Sequence, residues 1–492
     1  SRILGYLRDI LIAIFLGASI YADAFFVAFR LPNTFRRLFA EGTFNAAFVP
    51  NYISAKNAGK RTANKFADEV LRFLILILFL IVLIVEIFTP ILVNIIAPGF
   101  VDDNIKFNLA IEFTRITFPF LLFVSISSFF SGILNSNNKF AAAAATPIIL
   151  NLILIVSLLI SYFYKLEFAR QLSYGVTLAG ILQLLFLIYF TKKYYKPSFE
   201  FKLKVSSKVK YFFKKLLPSI LSSGVTQINI LIGTIIASFE ASAVSYLYYA
   251  DRIYQINLAL AGIAVGTVSL PVMSKVFKQK KFSKLLNIQN RSLELSLLLA
   301  IPASIGLILA SEEIVSALLG YGSFDAQNVK MTAKALKYFG YGIPAFALIK
   351  ILSNFFFARN NTKIPFYISI IIVFLNIVIS VVFFKKIGFI IIPIATSIST
   401  WIGIVIYFYL LNRKKFFSFD QKLYYNVLKM IISTVLMSIT LIFLLNYYTE
   451  FLVYNYTFKS IYLLLIVIFV AVIYLISCYF GGVLKIRNYK TN

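Results

Sequence analysis

The sequence predicts an all-α, polytopic membrane protein with about fourteen transmembrane helices, from its composition, its apolar segments and the charge of its loops. Of the 492 residues, 60% are hydrophobic and only 14% are charged, whereas a water-soluble domain carries about 25% charged residues. Residues 364–384 carry no charge at all, and about 20 apolar residues cross the hydrocarbon of a bilayer. The natural solvent of this chain is therefore lipid.

Polar residues, prolines and glycines divide the sequence into apolar segments of spanning length. Backbone groups in hydrocarbon have to be hydrogen-bonded within their own segment, so we expect helices. The segments lie near residues 1–17, 22–55, 69–97, 107–135, 140–164, 171–191, 211–238, 242–274, 286–310, 327–358, 364–384, 388–412, 424–447 and 459–483. Because residues 1–17 begin inside a helical pattern, we expect this first helix to be truncated.

The charge of alternate loops predicts the orientation. The basic loops contain Lys56, Lys60, Arg61 and Lys65, then the lysines of 192–215, then Lys275, Lys278, Lys280, Lys281 and Lys284, then Arg413, Lys414, Lys415 and Lys422. The loops between them are poor in cations, with Lys385 and Lys386 as the exception. By the positive-inside rule, the even-numbered loops and both termini are cytoplasmic. The net charge of +29 is then a topology signal, and we expect no nucleic-acid partner.

An internal repeat predicts two halves of six helices each. Polar and proline positions recur in order in the second half, as Arg30 with Arg252, Pro50 with Pro271, Pro119 with Pro344, Ser128 with Ser353, Asn135 with Asn360, and Asn151 with Asn376. Halves repeated in the same orientation are related by an axis along the membrane normal. We therefore predict an N-lobe over 1–195, a basic cytoplasmic linker over 196–210, a C-lobe over 211–412 and an extra helix pair over 424–483.

Several kinds of chemistry are excluded by residues that the sequence lacks. It has no histidine and a single cysteine, Cys478, so no Ser-His-Asp triad, Cys-His pair or histidine zinc site can form. It also has no Gly-x4-Gly-Lys-Ser/Thr loop for ATP. We expect a transporter rather than an enzyme, with no catalytic residue, no cofactor and no metal.

Arginines at membrane depth are the candidate functional residues. Arg2, Arg8, Arg30, Arg36 and Arg37 all precede the first lysine, Lys56. The planar guanidinium binds phosphate bidentately and stays charged when desolvated, and a charge within a span usually faces a wet cavity or a partner.

Helical spacing places carboxylates beside these arginines. Asp23, Arg30, Arg37 and Glu41 share one side of an ideal helix, although Pro32 is expected to kink it. Asp9 lies on one stripe with Arg2, and Asp251 precedes Arg252 in the second half. Such carboxylates can hold the arginines in place while no substrate is bound. The alternative, equally open for Arg37 and Glu41, is a structural salt bridge.

At these residues the sequence resembles the MurJ (MviN) family of lipid II flippases. The resemblance rests on Ser1–Gly5 and Arg8-Asp9, on residues 22–33 and 36–42, on Phe48-Val49-Pro50, on Ala97-Pro98-Gly99-Phe100, on Thr117-Phe118-Pro119 and on Tyr248-Tyr249-Ala250-Asp251-Arg252. It extends over nearly the whole chain and is strongest in residues 1–60.

The resemblance implies a fold like that of multidrug (MATE) exporters and a substrate. Two six-helix lobes would enclose a cationic cavity, and the extra pair 424–483 would provide a groove for a lipid tail. The substrate would be lipid II, an undecaprenyl pyrophosphate carrying a disaccharide-pentapeptide, moved to the periplasmic face of the bacterial inner membrane. The implied substrate-binding residues are Ser1, Arg2, Arg8, Arg36 and Arg252, with Asp9, Asp23, Arg37, Glu41 and Asp251 as supporting or gating residues.

We accordingly expect alternating access by a monomer embedded in membrane lipids. Charge neutralisation by the bound diphosphate would let the cytoplasmic side close. A monovalent counter-ion is a further candidate partner, with Asn229, Asn376, Ser380 and Thr396 as weak polar candidates for its site. The alternatives are a flippase for another lipid-linked oligosaccharide, a multidrug antiporter of the same superfamily, and a membrane glycosyltransferase with a catalytic carboxylate in the loop 311–327.

Overall fold

The computed structural model describes residues 2–40, 43–198 and 206–484, and these residues form helices and no strand. The all-α fold is therefore confirmed. The chain divides into two compact units, Ser1–Ser245 and Tyr246–Asn492.

Unit 1 contains ten α-helices and a short 3-10 turn at Pro98–Phe100 among its described residues. The helices are α1 (Arg2–Leu16), α2 (Ile20–Ala40), α3 (Thr43–Asn57), α4 (Lys60–Ile87), α5 (Thr89–Ile96), α6 (Asn104–Thr117), α7 (Phe120–Ser136), α8 (Phe140–Tyr164), α9 (Phe168–Thr191) and α10 (Ser207–Ala237). The predicted segment 22–55 is thus two helices, and α2 continues through Pro32.

Unit 2 continues from α11, which begins at the end of unit 1. Its helices are α11 (Ala243–Leu258), α12 (Val265–Lys278), α13 (Phe282–Leu309), α14 (Ser311–Leu319), α15 (Ala326–Gly340), α16 (Ile343–Phe357), α17 (Lys363–Ile387), α18 (Ile391–Arg413), α19 (Gln421–Tyr447), α20 (Thr449–Leu452) and α21 (Lys459–Phe480). A π-helical segment, Ala259–Ala264, joins α11 to α12 without a break.

Within the described ranges, nine helices are long and apolar enough to cross a membrane, or ten if α15 and α16, bent by 43°, form one span. One of the nine, Lys363–Arg413, is 51 residues long. Its two parts, α17 and α18, pack side by side. Gly388, with a φ of 74°, allows the turn between them, so this stretch holds two crossings. The polytopic membrane class is confirmed, and the count of fourteen remains a prediction.

The helix lengths repeat between the two halves of the chain. Helices α4 and α13 both have 28 residues, and α8 and α17 both have 25. The pair α6–α7 breaks just before Phe120, next to Pro119, and the pair α15–α16 breaks just before Ile343, next to Pro344. Proline removes a backbone donor and interrupts a helix at these matched positions.

The boundary between the two units falls after α10 because of how that helix packs. This helix packs against α2, α3, α4 and α5, which places it in unit 1. The extra helices α19 and α21 pack against each other, α19 against α13, and α21 against α14. The four-part division at residues 195, 210 and 412 remains a prediction beside this observed one.

Two adjacent carboxylates on α4 hold the described ends of the segment that joins α9 to α10. Asp68 Oδ1 accepts hydrogen bonds from the Tyr195 hydroxyl, at 2.5 Å, and from the Ser198 N–H, at 3.0 Å. Glu69 Oε2 accepts from the Ser206 N–H at 3.1 Å. Burial, and then the bond to Asp68, raise the pKa of Tyr195. The basic linker is thereby anchored to unit 1 at both described ends.

The outer surface of unit 2 is apolar, as lipid requires. On α21 alone, the exposed side chains include Ile461, Leu464, Leu465, Val467, Ile468, Phe469, Val472, Leu475 and Ile476. Monomeric soluble proteins rarely expose a contiguous apolar patch of this extent. The inner face of the same helix, with Leu463, Ile466 and Val470, packs in a core with α19.

Candidate functional site

The guanidinium of Arg8 donates to Asp9 and to Asn151 within unit 1. Its Nη2 and Nε lie 2.6 Å and 3.0 Å from Asp9 Oδ1, and its Nη1 donates to Asn151 Oδ1 at 2.9 Å. Arg8 is only 8% exposed and Asp9 only 5%. Two helices therefore hold this charge, because α1 supplies Arg8 and Asp9 while α8 supplies the amide.

Helix α1 packs against α8 at Gly5. A β-carbon on Gly5 would lie 3.5 Å from Asn151 Nδ2, one turn before Asp9 on the same stripe of the helix. Gly5 and Asp9 of the predicted stripe thus lie on the packed face of α1. Arg2 lies on the exposed side of the first turn, and the candidate Ser1 falls outside the described residues.

Asp23 forms a fully buried ion pair with a residue that the sequence argument did not consider. It is 0% exposed, and its Oδ2 lies 2.5 Å from Nζ of Lys106 in α6. Its Oδ1 accepts from the Ser245 N–H at 2.9 Å and from the Ser245 hydroxyl at 2.5 Å. Lys106 also lies 4.1 Å above the Phe100 ring. The carboxylate that was expected to hold an arginine is instead paired with this lysine.

Of the other arginines on α2, Arg30 lies at its middle, and Arg36 and Arg37 lie near its end. Arg36 Nε donates to Asn33 Oδ1 at 3.0 Å, one turn earlier on the same helix. Arg30, Arg36 and Arg37 are partly buried. Glu41 lies outside the described residues, so its predicted pairing with Arg37 stays a prediction.

In unit 2, Arg252 contacts a tyrosine of its own helix. Its guanidinium carbon lies 4.7 Å from the centre of the Tyr248 ring, and Nη2 lies 3.3 Å from the Tyr248 hydroxyl. Tyr248 is one turn earlier on α11, which directs both side chains to the same face. Asp251, the neighbouring carboxylate, accepts a hydrogen bond from Gln255 one turn later.

Three of the polar candidates for a counter-ion contact each other between α17 and α18. Asn376 Nδ2 donates to Thr396 Oγ1 at 3.2 Å, and Ser380 Oγ donates to Asn376 Oδ1 at 3.2 Å. All three are neutral. Across the described ranges, no cluster of three or more His, Cys, Asp or Glu side chains could hold a metal ion.

Sequence reasoning missed Asn151, Lys106 and Tyr248 as partners of the candidates. Tyr248 had a usable signal, because it lies four residues before Arg252 on a predicted helix. Lys106 had a weaker one, as a lone cation at the start of an apolar segment. Asn151 had been used only to align the repeat, and nothing in its spacing connected it to Arg8.

Comparison with known proteins gives one consistent family. The family model described as "Lipid II flippase MurJ" matches residues 12–464. A protein of Rhizobium tropici described as a probable lipid II flippase MurJ is 37% identical over 98% of this chain and 92% of its own. A protein of Rickettsia prowazekii with the same description is 35% identical over 100% of this chain and 96% of its own.

Solved structures agree in fold. A lipid II flippase MurJ in an inward closed conformation matches with a TM-score of 0.83 at 29% identity, over 97% of this chain and 96% of that one. An inward-facing multidrug transporter of the MATE family, from the MOP superfamily, matches with a TM-score of 0.69 at 14% identity, over 85% of this chain and 94% of that one. At that identity the second match shows the fold alone.

Proposed function

This chain belongs to the MurJ family of lipid II flippases, and on that premise we propose that it moves lipid II from the cytoplasmic to the periplasmic leaflet by alternating access. The observation that supports this most directly is the buried guanidinium of Arg8, held by Asp9 and by Asn151. A charge kept at membrane depth is costly and usually serves transport. The headgroup of lipid II carries the diphosphate that such a fork binds.

The proposed binding residues are Ser1, Arg2, Arg8, Arg36 and Arg252. An arriving diphosphate offers stronger acceptors than the amide of Asn151, so Arg8 can exchange that bond for one to phosphate without leaving its ion pair. Asp9, Asp23, Arg37, Glu41 and Asp251 are proposed to support or gate the site. Two of these proposed residues, Ser1 and Glu41, are assigned by sequence alone.

Neutralisation of the cations is the proposed trigger of the conformational change. A ligand shifts an equilibrium only through its different affinity for the two states. A bound diphosphate cancels the repulsion between arginines and so favours a state in which they lie closer together. The undecaprenyl tail stays in lipid or along the pair α19 and α21, whose exposed faces are apolar.

The setting of this transport is proposed on the same grounds. The protein would be a monomer in the bacterial inner membrane with both termini in the cytoplasm, as the basic loops predict. It would act as a transporter without catalytic residues. The energy source would be the membrane potential or a monovalent counter-ion, for which the contact of Asn376, Ser380 and Thr396 is the proposed location.

Complementation tests the proposal. A bacterial strain depleted of its own lipid II flippase should grow when it expresses this chain, and lipid II should become accessible at the periplasmic face. Arg8→Ala and Arg252→Ala proteins should insert in the membrane and fail to support growth. Failure of the wild-type chain would refute the substrate assignment, and export of a cationic drug or of another lipid-linked oligosaccharide instead would replace it.

A further inference from the structure

A cavity of about 540 Å³ lies in unit 1 between α6, α8 and α9, and none of the candidate residues lines it. Two hydroxyls in its wall, those of Ser157 and Thr177, already donate to backbone carbonyls. The other polar side chains in the wall are Arg115, Gln171 and Tyr174, and the rest of the wall is apolar. Ligand sites of ~300–1,000 Å³ commonly combine an apolar wall with a few polar groups. The cavity therefore suits an amphipathic ligand.

The cavity lies near the end of the hairpin that α8 and α9 form. Gln171 and Tyr174 lie in the first two turns of α9, and Ile160 lies one turn before the end of α8. Ile181, farther along α9, is roughly 20 Å from the start of that helix. On the proposed orientation the start of α9 faces the periplasm, because α9 ends next to the basic linker. The cavity thus extends from the periplasmic surface toward the middle of the bilayer.

A cluster of three carboxylates and two arginines lies at this end of unit 1. Arg170 Nε lies 2.7 Å from Glu112 Oε1, and its Nη2 lies 3.5 Å from Glu167 Oε2. These three side chains are engaged with each other, and none of them lines the cavity. The other two members of the cluster are Arg115 and Glu86. The five side chains together carry one more negative than positive charge, which disfavours a ligand that is only anionic.

Arg115 and Glu86 are one cation and one anion without an ion pair. Arg115 is exposed in the wall of the cavity, and Glu86, next to the last residue of α4, is close enough for the two charges to interact. Among the described residues, no ion-pair partner lies within 4.0 Å of either side chain, and Glu86 Oε1 accepts no hydrogen bond. Charges at membrane depth usually have a partner or mark a site. A ligand with both signs of charge would provide both partners.

We propose that this cavity binds a zwitterionic phospholipid with a primary ammonium, of the phosphatidylethanolamine type. Its phosphate accepts hydrogen bonds from the guanidinium of Arg115, with the Gln171 amide and the Tyr174 hydroxyl as further donors. Its ammonium donates to Glu86. One acyl chain lies in the apolar part of the cavity, along Ile160, Leu178 and Ile181. This binding site does not depend on the proposed transport of lipid II.

The pair of charges selects this headgroup over two common alternatives. Phosphatidylglycerol offers the phosphate without an ammonium, so Glu86 stays without a partner beside a second anion. Phosphatidylcholine has a quaternary ammonium, which carries no N–H to donate. A primary ammonium donates up to three hydrogen bonds, as that of lysine does. The proposal therefore predicts a preference for phosphatidylethanolamine rather than a general affinity for lipid.

Binding of single lipids to the purified full-length protein in detergent tests this. Phosphatidylethanolamine, phosphatidylglycerol and phosphatidylcholine with identical acyl chains are titrated separately, and native mass spectrometry measures the affinity of the first lipid bound. The wild-type protein should prefer phosphatidylethanolamine about tenfold, and Arg115→Met should weaken its binding about tenfold. Glu86→Gln should bind phosphatidylethanolamine and phosphatidylglycerol about equally. Leu178→Trp should weaken all three lipids, because the indole takes the place of the acyl chain.

Arg413→Met is the matched control, because Arg413 is an exposed arginine at the end of α18 in unit 2. It should keep the affinities of the wild-type protein. Equal binding of the three lipids by the wild-type protein would overturn the proposal, since lipids that merely coat the apolar surface give this result. A wild-type preference retained in both Arg115→Met and Glu86→Gln would also overturn it. The ratio of two affinities in one preparation does not change if part of a variant is unfolded, so reduced stability cannot imitate a loss of preference.

Discussion

Arg8 and Arg252 are each adjacent to an aspartate in sequence, but the two units hold them in different ways. Arg8 pairs with its neighbour Asp9 and reaches across to Asn151 on another helix. Arg252 lies on the ring of Tyr248, and its neighbour Asp251 accepts from Gln255. The contacts of Arg8 thus include one across to another helix, whereas the ring contact and the hydrogen bond described for Arg252 lie within α11. Removal of Arg8 should therefore lower both transport and stability, whereas removal of Arg252 should lower transport with little loss of stability.

Removal of either guanidinium should reduce transport more than any other proposed change. The two variants should differ in stability. Arg8→Ala breaks the buried ion pair with Asp9, and breaking such a pair costs about 3–5 kcal/mol. Arg252→Ala loses a cation–π contact of about 1 kcal/mol. Both variants should fail to support growth of the flippase-depleted strain. Only Arg8→Ala should unfold in detergent at a much lower temperature than the wild-type protein. Normal growth on either variant would contradict the assignment.

The buried pair of Asp23 and Lys106 provides a test without an arginine. Lys106→Met should destabilise unit 1 by about 3–5 kcal/mol, because a fully buried carboxylate remains. The double variant Lys106→Met with Asp23→Asn should recover most of the loss. Thermal unfolding of the two proteins measures this, and equal unfolding temperatures would show that the ion pair does not carry the stability.

Substitution by lysine should show whether each site needs the planar, bidentate guanidinium or only a positive charge. Arg8→Lys cannot reach both Asp9 and Asn151, and transport should fall at least tenfold. Arg252→Lys keeps a cation over the Tyr248 ring and should be impaired less. The measurement is the rate at which lipid II becomes accessible at the outer face. A greater loss in Arg252→Lys would reverse this comparison.

Asn151 should matter for function although it carries no charge. Asn151→Leu removes an acceptor from a buried guanidinium and should cost about 1–3 kcal/mol, with transport reduced but not lost. Ser157→Ala is the control, because the Ser157 hydroxyl donates to the Ile153 carbonyl of the same helix. If the two variants lower the unfolding temperature and the transport rate alike, Asn151 has no special role in holding Arg8.

Tyr248 should give the smallest effect. Tyr248→Phe keeps the ring under Arg252 and loses only a 3.3 Å contact, so transport should remain near the wild-type rate. Tyr248→Leu also loses the cation–π contact, about 0.5–1 kcal/mol, and should lower the affinity for lipid II a few-fold. Equal lipid II affinities of the two variants would show that the Tyr248 ring does not contribute to the function of Arg252.

The helical class was predictable because burial of the backbone in lipid leaves few alternatives to helices. The positions at which helices are interrupted were less predictable. A helix is interrupted next to Pro119, but α2 continues through Pro32. The number of crossings was not settled, because length and hydropathy do not show where a long helix turns back. The turn at Gly388 was an exception, because the sequence already separated segment 364–384 from segment 388–412, and α17 packs against α18 there.

The candidate site was predictable in its residue types and less so in its contacts. Arginine richness near the start of the chain pointed to Arg8, and spacing on one helix could have led to Tyr248. No local rule connects Arg8 with Asn151 or Asp23 with Lys106, since these pairs are 143 and 83 residues apart. Such contacts depend on which helices pack together, and apolar helices of similar composition do not encode that choice in a simple pattern.

The separation of Asp23 from Lys106 also has a consequence for biogenesis. A ribosome adds roughly 5–20 residues per second, so about 4–17 s pass between the synthesis of Asp23 and that of the lysine 83 residues later. During this interval α2 has to be accommodated at the translocation machinery with its carboxylate still unneutralised. We therefore expect the first helices to become stable in the bilayer only after α6 has been made, because α6 supplies the lysine that pairs with Asp23.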